Sequence, residues 1–179
     1  MNTRPCEQCG EQLRARHAPN ARFCSTRCRV AAHRAAKRLA LPAELTDKAR
    51  WVRSSASKVP FTAEGSSVGV GLGFVLSDED DIVCVDLDYA LDAGGQPLPW
   101  AADVLRSLPE TYIEVSRSGR GLHVFGFADV RQGRRIRRAG GEAIEVYGQQ
   151  RFIAVTGQRF KGSPVTLADI NAAVRDLTA

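Results

Sequence analysis

An apolar run that ends in two closely spaced carboxylates constrains the fold of this chain more than any other feature. Residues 82–85 read Ile-Val-Cys-Val and are followed at once by Asp86-Leu87-Asp88. A short apolar run predicts a strand, and alternate residues of a strand share a face. Asp86 and Asp88 are therefore expected to point the same way. Val83, Val85 and Leu87 are expected to pack into a core on the opposite face.

A second acidic strand is predicted farther along the chain. Glu145 lies in the segment Ile144-Glu145-Val146-Tyr147, where it points away from its apolar neighbours. Asp86, Asp88 and Glu145 are therefore predicted to line one polar face of a sheet. Oxygen ligands of this kind suit Mg²⁺ or Mn²⁺ better than zinc. The alternative is that the aspartates only end an edge strand in solvent.

A glycine-rich turn lies between these two acidic segments. Ser118-Gly119-Arg120-Gly121 predicts a hairpin turn, because glycine accepts positive φ angles. Bare glycines also let a phosphate approach backbone N–H groups, and Arg120 adds positive charge. His123, on the strand that follows, is predicted to donate to a triphosphate oxygen. The alternative is a histidine with a purely structural role.

Two cysteine pairs near the N-terminus predict a metal site. Cys6 and Cys9 flank a short turn, and Cys24 and Cys28 share one face of a predicted helix over residues 25–39. Four thiolates complete the tetrahedral shell of a structural zinc ion, so His17 and His33 are not needed as ligands. Ser25 is expected to cap the helix. Unliganded structural thiols are the alternative, and the region resembles short treble-clef-like zinc fingers.

The excess positive charge of the chain lies in its N-terminal part. Residues 1–50 carry eleven Lys and Arg against four Asp and Glu, although the net charge of the whole chain is only +5. Such a basic segment predicts a nucleic-acid partner, and a solubilising tail is the alternative. The predicted helix supplies the candidate phosphate contacts, namely Arg27, Arg29, Arg34, Lys37 and Arg38.

The remaining pattern predicts an α+β fold. Residues 1–41 are predicted to form the zinc module, residues 42–57 a connector with a short helix from Pro42 through Arg50, and residues 58–179 the main domain. Strands are expected at 68–76, 82–88, 111–116, 122–127, 143–147 and 151–156, paired consecutively as three hairpins. Helices are expected at 99–108 and from Thr166 to 177. Short connections favour one largely antiparallel sheet with helices on one face.

The sequence shows no sign of a membrane segment. No apolar run is long enough to span a bilayer, and no signal-peptide pattern follows the N-terminus. We therefore expect a protein of the reducing cytoplasm, where cysteines serve more often as metal ligands than as disulfides.

Several motifs in order resemble the primase–polymerase domain of phage and plasmid replication proteins, within the archaeo-eukaryotic primase superfamily. They are Lys58-x-Pro60, Gly69-x-Gly71-x-Gly73-Phe74, Val85-Asp86-Leu87-Asp88, Tyr112-x-Glu114-x-Ser116-x-Ser118-Gly119-x-Gly121-x-His123, Ile144-Glu145-Val146-Tyr147, and Arg151-Phe152 leading to Thr156-Gly157.

The resemblance implies an RRM-like primase core and a DNA-templated nucleotidyltransferase that makes or extends primers on single-stranded DNA. It implies that Asp86, Asp88 and Glu145 bind two catalytic metal ions, and that Ser118 and His123 contact the incoming NTP or dNTP. Arg151 is a further candidate for triphosphate binding. A separate helicase is the expected partner, in the cytoplasm of a bacterial host.

Two points stay open at the level of sequence. The segment Arg131–Arg138 carries five arginines and is predicted to be a loop. It either clamps template or triphosphate, through Arg134, Arg135, Arg137 and Arg138, or is a mobile solvated loop. The chain as a whole is either the polymerising enzyme, a non-catalytic DNA-binding protein with a relict primase fold, or a metal-dependent nuclease that uses the same carboxylates.

Overall fold

The structure, a computed structural model, describes residues 5–14, 18, 20–31, 41–54, 60–61 and 71–179. Contacts between α-carbons divide the chain into two units, Met1–Ala40 and Leu41–Ala179. Some predicted features lie outside the described residues: His17, His33, Arg34, Lys37, Arg38, Lys58, and the strand start at residues 68–70. Among the described residues, no helix has the length and apolar character needed to cross a bilayer.

The first unit contains a turn and the start of a helix. Helix α1 is described over residues 26–31. The prediction that Ser25 caps it is confirmed, because the Cys28 N–H donates to Ser25 Oγ at 3.2 Å and the Arg29 N–H donates to the Ser25 carbonyl. Gly10 has a φ of +75°, and its N–H donates to the Cys6 carbonyl, which closes the predicted turn.

The second unit combines antiparallel sheets with short helices, and this confirms the predicted α+β class. Its helices are α2 (Ala43–Thr46), α3 (Pro99–Ser107) and α4 (Asn171–Thr178), with a 3₁₀ turn at Ala139–Gly141. Its strands are β1 (Trp51–Ser54), β2 (Pro60–Phe61), β3 (Gly71–Leu76), β4 (Ile82–Asp88), β5 (Ile113–Val115), β6 (Leu122–Phe127), β7 (Arg134–Arg137), β8 (Ala143–Tyr147) and β9 (Arg151–Val155).

The strands form two antiparallel sheets, which differs from the prediction of a single sheet. One sheet has the order β2-β1-β3-β9, and the other has the order β5-β6-β4-β8-β7. Two of the three predicted hairpins are therefore wrong, because β3 and β4 belong to different sheets and so do β8 and β9. The hairpin of β5 and β6 is confirmed. The predicted connector contributes α2 and β1 to this unit.

The central strand β4 explains why two sheets are needed. Val83, Val85 and Leu87 pack on α3 and α4, whereas Ile82 and Cys84 pack against the four-stranded sheet. The face that carries Asp86 is thus buried over its first half, so the prediction of one wholly polar face is wrong. The run of residues 82–85 is apolar at every position because both of its sides are covered.

An ion pair fixes the turn that carries the chain from β3 to β4. Arg50 Nη2 lies 2.6 Å from Asp80 Oδ2, and Lys48 Nζ lies 3.0 Å from the same oxygen. Burial raises the pKa of Asp80, but these two cations and the N–H of Ile82 outweigh it, so that the pKa is lowered. Asp80 therefore stays ionised and ties the turn to the chain just before β1.

Three further boundaries differ from the sequence prediction. Residues 134–137 of the predicted arginine-rich loop form strand β7, because they pair with β8. Helix α4 begins at Asn171 instead of Thr166, since Ala168 and Ile170 exchange backbone hydrogen bonds with Phe127 of β6. Helix α2 ends at Thr46, earlier than predicted.

Candidate functional site

Five ionisable residues lie directly opposite one another across the five-stranded sheet. In strand order they are Glu114 on β5, His123 on β6, Asp86 on β4, Glu145 on β8 and Arg135 on β7. We call them the charged row. Directly opposed residues point to the same face, and at one strand spacing per step the row runs about 19 Å across the sheet. The face is the one that meets the four-stranded sheet.

Two members of the charged row, Asp86 and His123, border a cavity of about 280 Å³ between the ends of the two sheets, and Glu145 is not among its lining residues. Asp86, Asp88 and His123 line it from the five-stranded sheet, and Arg151 and Phe152 line it from β9. Ser116, Arg117, Ser118 and Tyr147 complete the polar part of its wall. The structure thus brings together most of the residues that the sequence predicts to bind metal and triphosphate.

Glu145 is held by two donors of the chain. Arg135 Nε lies 2.8 Å from one carboxylate oxygen, and the Tyr147 hydroxyl donates to the other at 2.6 Å. Burial, reinforced by the Glu145 carboxylate, raises the pKa of Tyr147 to about 12. Tyr147 therefore remains a donor at neutral pH. The Glu145 side chain is only 7% exposed, whereas that of Arg135 is 52% exposed, so the ion pair reaches solvent through Arg135.

The carboxylates of Asp86, Asp88 and Glu145 share a face of the sheet, but their oxygen atoms do not converge as the ligands of a preformed metal site would. Among the described residues, Cys6, Cys9, Cys24 and Cys28 are the only set of three or more potential ligands whose atoms all lie within 4.8 Å of one another. Asp86 and Glu145 are nonetheless directly opposite, and Asp88 follows two residues on. Like charges placed in this way repel each other unless a cation lies between them.

The glycine-rich turn does not offer the free amides that its sequence predicts. The N–H of Gly119 donates to the Ser116 carbonyl, that of Arg120 to Ser118 Oγ, and that of Gly121 to Ser116 Oγ. The two serine hydroxyls and the carbonyl therefore satisfy the turn internally. Gly121 has another reason to be glycine, because a Cβ there would lie 2.9 Å from the Leu87 carbonyl oxygen.

Two arginines at the site lie over tyrosine rings. Arg120 Cζ is 4.7 Å from the ring centre of Tyr89, which is 46% exposed and follows the acidic pair. Arg151 Cζ is 4.6 Å from the ring centre of Tyr147. Of these two arginines, Arg151 lines the cavity and Arg120 does not. Stacking on an aromatic face holds a guanidinium group in place without using its hydrogen-bond donors.

The candidate nucleic-acid contacts are spread over two units. Arg27 and Arg29 are exposed on α1. Arg135 and Arg137 alternate with Arg134 along β7, so Arg137 shares the face of the charged row and Arg134 points the other way. Arg138 lies over the ring of Trp100, at 5.3 Å from its centre.

The four N-terminal cysteines converge as predicted. Cys9 Sγ lies 3.6 Å from Cys24 Sγ, and Cys24 Sγ lies 3.5 Å from Cys28 Sγ. Burial raises the pKa of Cys6, but backbone N–H groups, that of Cys24 foremost, outweigh it and lower the pKa to about 6. Hydrogen bonding with Cys28 and Cys9 raises the pKa of Cys24 to about 12. Sulfurs this close can all ionise only around a cation, so the cluster could hold a metal ion.

The contacts of the site that depend on pairing between strands cannot be predicted from the sequence alone. In the sequence, Glu114 and Ser116 are identified only as members of the family motif, and nothing in the local pattern singles out Arg117. A signal for Glu114 is nevertheless present, because an acidic residue between apolar neighbours in a predicted strand indicates a buried carboxylate with a specific role. Arg135 is predicted to contact nucleic acid, and its pairing with Glu145 requires the register of β7 on β8.

A larger cavity of about 360 Å³ lies near the start of β4. Four aspartates line it together with Arg131, namely Asp78, Asp80, Asp81 and Asp129. Asp80 pairs with Arg50 and Lys48, and Asp129 pairs with Arg131. The cavity between the sheet ends is the better candidate site, because it is the one that Asp86, Asp88, Ser118, His123 and Arg151 line.

Comparison with known proteins supports the class to which the sequence motifs point, the primase–polymerases. The chain is similar to the DNA primase-polymerase of Nitratiruptor phage NrS-1, with 32% identity over 123 residues. The matched segment covers 67% of this chain and 17% of the length of the phage protein. The chain matches no protein-family profile.

Proposed function

We propose that the chain is a DNA-templated nucleotidyltransferase that makes or extends primers on single-stranded DNA. The observation that carries this proposal is the pair of directly opposed carboxylates Asp86 and Glu145, next to a cavity that Asp86, Asp88 and His123 line. Similarity to a phage primase-polymerase supports the same assignment. The core would then be the RRM-like fold of that superfamily.

Asp86, Asp88 and Glu145 would hold two Mg²⁺ or Mn²⁺ ions, since carboxylate oxygens are the ligands that these ions prefer. When bound, the ions neutralise charge on the α-phosphate and on the attacking and leaving oxygens. His123, Ser118 and Arg151 hold the triphosphate, and Arg117 lies beside them on the cavity wall.

The reaction joins the primer to the incoming nucleotide. The primer 3′-oxygen forms a bond to the α-phosphorus while the bond from the α-phosphorus to the bridging oxygen of the β-phosphate breaks. Pyrophosphate leaves, and the proton of the 3′-hydroxyl passes to water. The residues of this chain contribute mainly by alignment and charge, as in other phosphoryl transfers.

The first unit would act as a zinc-dependent template module. Cys6, Cys9, Cys24 and Cys28 would bind a structural Zn²⁺ ion, and a helix with exposed arginines would contact the backbone of single-stranded DNA. Unwinding would fall to a separate helicase in the cytoplasm of a bacterial host, in phage or plasmid replication.

Arg135 competes with metal ions for Glu145. We expect Arg135→Ala to lower several-fold the Mn²⁺ concentration that half-saturates the protein in the absence of nucleotide, because the guanidinium at 2.8 Å is removed. Arg134→Ala is the matched control, since Arg134 is exposed on the same strand but points to the other face. Titration followed by electron paramagnetic resonance gives both values. A higher Mn²⁺ requirement in Arg135→Ala would contradict the competition.

The proposed function is tested by incorporation of labelled nucleotides on a single-stranded template, with Mg²⁺ or Mn²⁺ and with either NTPs or dNTPs. Template-dependent growth of a primer supports the proposal. Shortening of the template would identify a nuclease. Binding of DNA and nucleotide with no incorporation under any of these conditions would identify a non-catalytic protein with a primase fold.

A further inference from the structure

We propose that Glu114 is a positioning residue that fixes the ring of His123 so that Nε2 faces the cavity. The role of this contact in nucleotide binding rests on the proposed function, but the orientation of the His123 ring can be tested independently of it. Glu114 is fully buried, at 0% exposure, and it lies next to His123 in the charged row. It does not line the cavity.

The surroundings of Glu114 are built for a carboxylate. Its Oε1 atom accepts from the N–H of Thr156 at 3.0 Å, and its Oε2 atom accepts from the N–H of Gly157 at 2.9 Å and from the Tyr112 hydroxyl at 3.0 Å. A buried carboxylate is costly unless it is hydrogen-bonded in this way. Packing alone would be served better by an apolar side chain, so the charge has another use.

That use is the contact with His123. Nδ1 of His123 lies 3.1 Å from Glu114 Oε1. Oε1 already accepts from the Thr156 N–H, so we assign the hydrogen of this bond to Nδ1, which donates it to the carboxylate. The ring is thereby held with Nε2 on its far side, 3.8 Å from Asp86 Oδ1, and it meets the Phe125 ring edge-on at 89°.

The fixed orientation matches the chemistry of a triphosphate site. With Nδ1 directed to Glu114, Nε2 is the ring nitrogen that is left to face a phosphate oxygen, and the buried carboxylate lies on the side of the ring away from the substrate. A carboxylate placed behind the ring in this way orients the histidines of many metal sites.

Glu114 also joins the two walls of the cavity. Thr156 and Gly157 directly follow β9, which carries Arg151 and Phe152 on one wall, whereas His123 belongs to the opposite wall. One carboxylate therefore sets the position of the histidine relative to the arginine across the cavity. Both side chains are proposed to hold the same triphosphate.

The test compares Glu114→Gln with Tyr112→Phe in the full chain. Tyr112→Phe removes a donor to Glu114 Oε2 but leaves the contact between Oε1 and His123 unchanged, so it is the matched control. The readouts are the ¹⁵N shifts of the His123 ring, the dissociation constant of a non-hydrolysable nucleoside triphosphate, the KM for nucleotide, kcat, and the affinity for single-stranded DNA. His123→Ala serves as the reference for complete loss of the ring.

We expect the wild-type shifts to show hydrogen on Nδ1, and Glu114→Gln to lose that signature. The dissociation constant of the triphosphate and the nucleotide KM should both rise about tenfold or more, as is common when the group that orients a histidine is removed. In Glu114→Gln, kcat should change less than KM and DNA affinity should stay unchanged, whereas Tyr112→Phe should keep the hydrogen on Nδ1 of His123.

Two results would overturn the proposal. One is a wild-type ring with hydrogen on Nε2 and none on Nδ1, which decides the matter even if Glu114→Gln does not fold. The other is a folded Glu114→Gln variant with wild-type triphosphate affinity. A wild-type protein that binds triphosphate but incorporates no nucleotide contradicts the proposed function instead, and the ring shifts still decide the role of Glu114.

Discussion

Asp86→Asn and Asp88→Asn are each expected to abolish nucleotide addition. Both carboxylates lie on the cavity wall, and each is proposed to hold metal ions that neutralise the transferring phosphate. Metal ions supply several kcal/mol of such stabilisation, so we expect a loss of about 10³-fold or more in kcat. Asparagine keeps the size of the side chain, and the fold should therefore survive. Single-turnover primer extension with Mg²⁺ measures the loss.

The matched control for these variants is Asp103→Asn. Asp103 is 68% exposed on α3, which packs on the other face of the five-stranded sheet, and it pairs only with the neighbouring Arg106 among the contacts of the described residues. Its substitution should leave activity unchanged. Full activity in Asp86→Asn or Asp88→Asn would show that the carboxylates do not hold the catalytic ions.

Removal of residues 1–40 is expected to cause the second largest effect, the loss of most primer synthesis that starts without a primer. The cut should fall before Leu41, because Leu41 packs against the core of the second unit and Leu45 is fully buried in it. The shortened protein should still extend an annealed primer at low salt. Its affinity for single strands should also become less sensitive to salt, by about 0.7 in the log–log slope for each phosphate group that it no longer binds.

Zinc removal should reproduce this effect in the full chain. A zinc-selective chelator, used with Mg²⁺ in excess, should suppress initiation, because a cluster of four cysteines needs its ion to fold. The control is the protein without residues 1–40, whose activity the chelator should leave unchanged. If that shortened protein starts primers as well as the full chain, the first unit does not serve initiation.

The sequence is sufficient for those features that depend on neighbouring residues. The strand that ends in Asp86 and Asp88, the hairpin around Ser118–Gly121, and the convergence of Cys24 and Cys28 on one helix face all follow from spacing of a few residues. Strand and helix periodicity decides such features locally.

The sequence is insufficient to predict pairing where consecutive strands of the chain belong to different sheets. A short turn after Leu76 predicts a hairpin, yet β4 is apolar on both faces and needs a second layer, which β3 and β9 supply. The same holds for the site. The pairs Arg135–Glu145 and Glu114–His123 arise from strand register, which is set by packing of the whole sheet rather than by local pattern.

The most direct test of the central claim is the number of Mn²⁺ ions that bind beside a nucleotide. Electron paramagnetic resonance can count them on the zinc-loaded chain in the presence of a non-hydrolysable nucleoside triphosphate, for the wild type, Asp86→Asn and Asp103→Asn. We expect two tightly bound ions in the wild type and in Asp103→Asn, and weakened binding of both in Asp86→Asn. Equal binding in all three proteins would contradict the assignment of the metal site to the charged row.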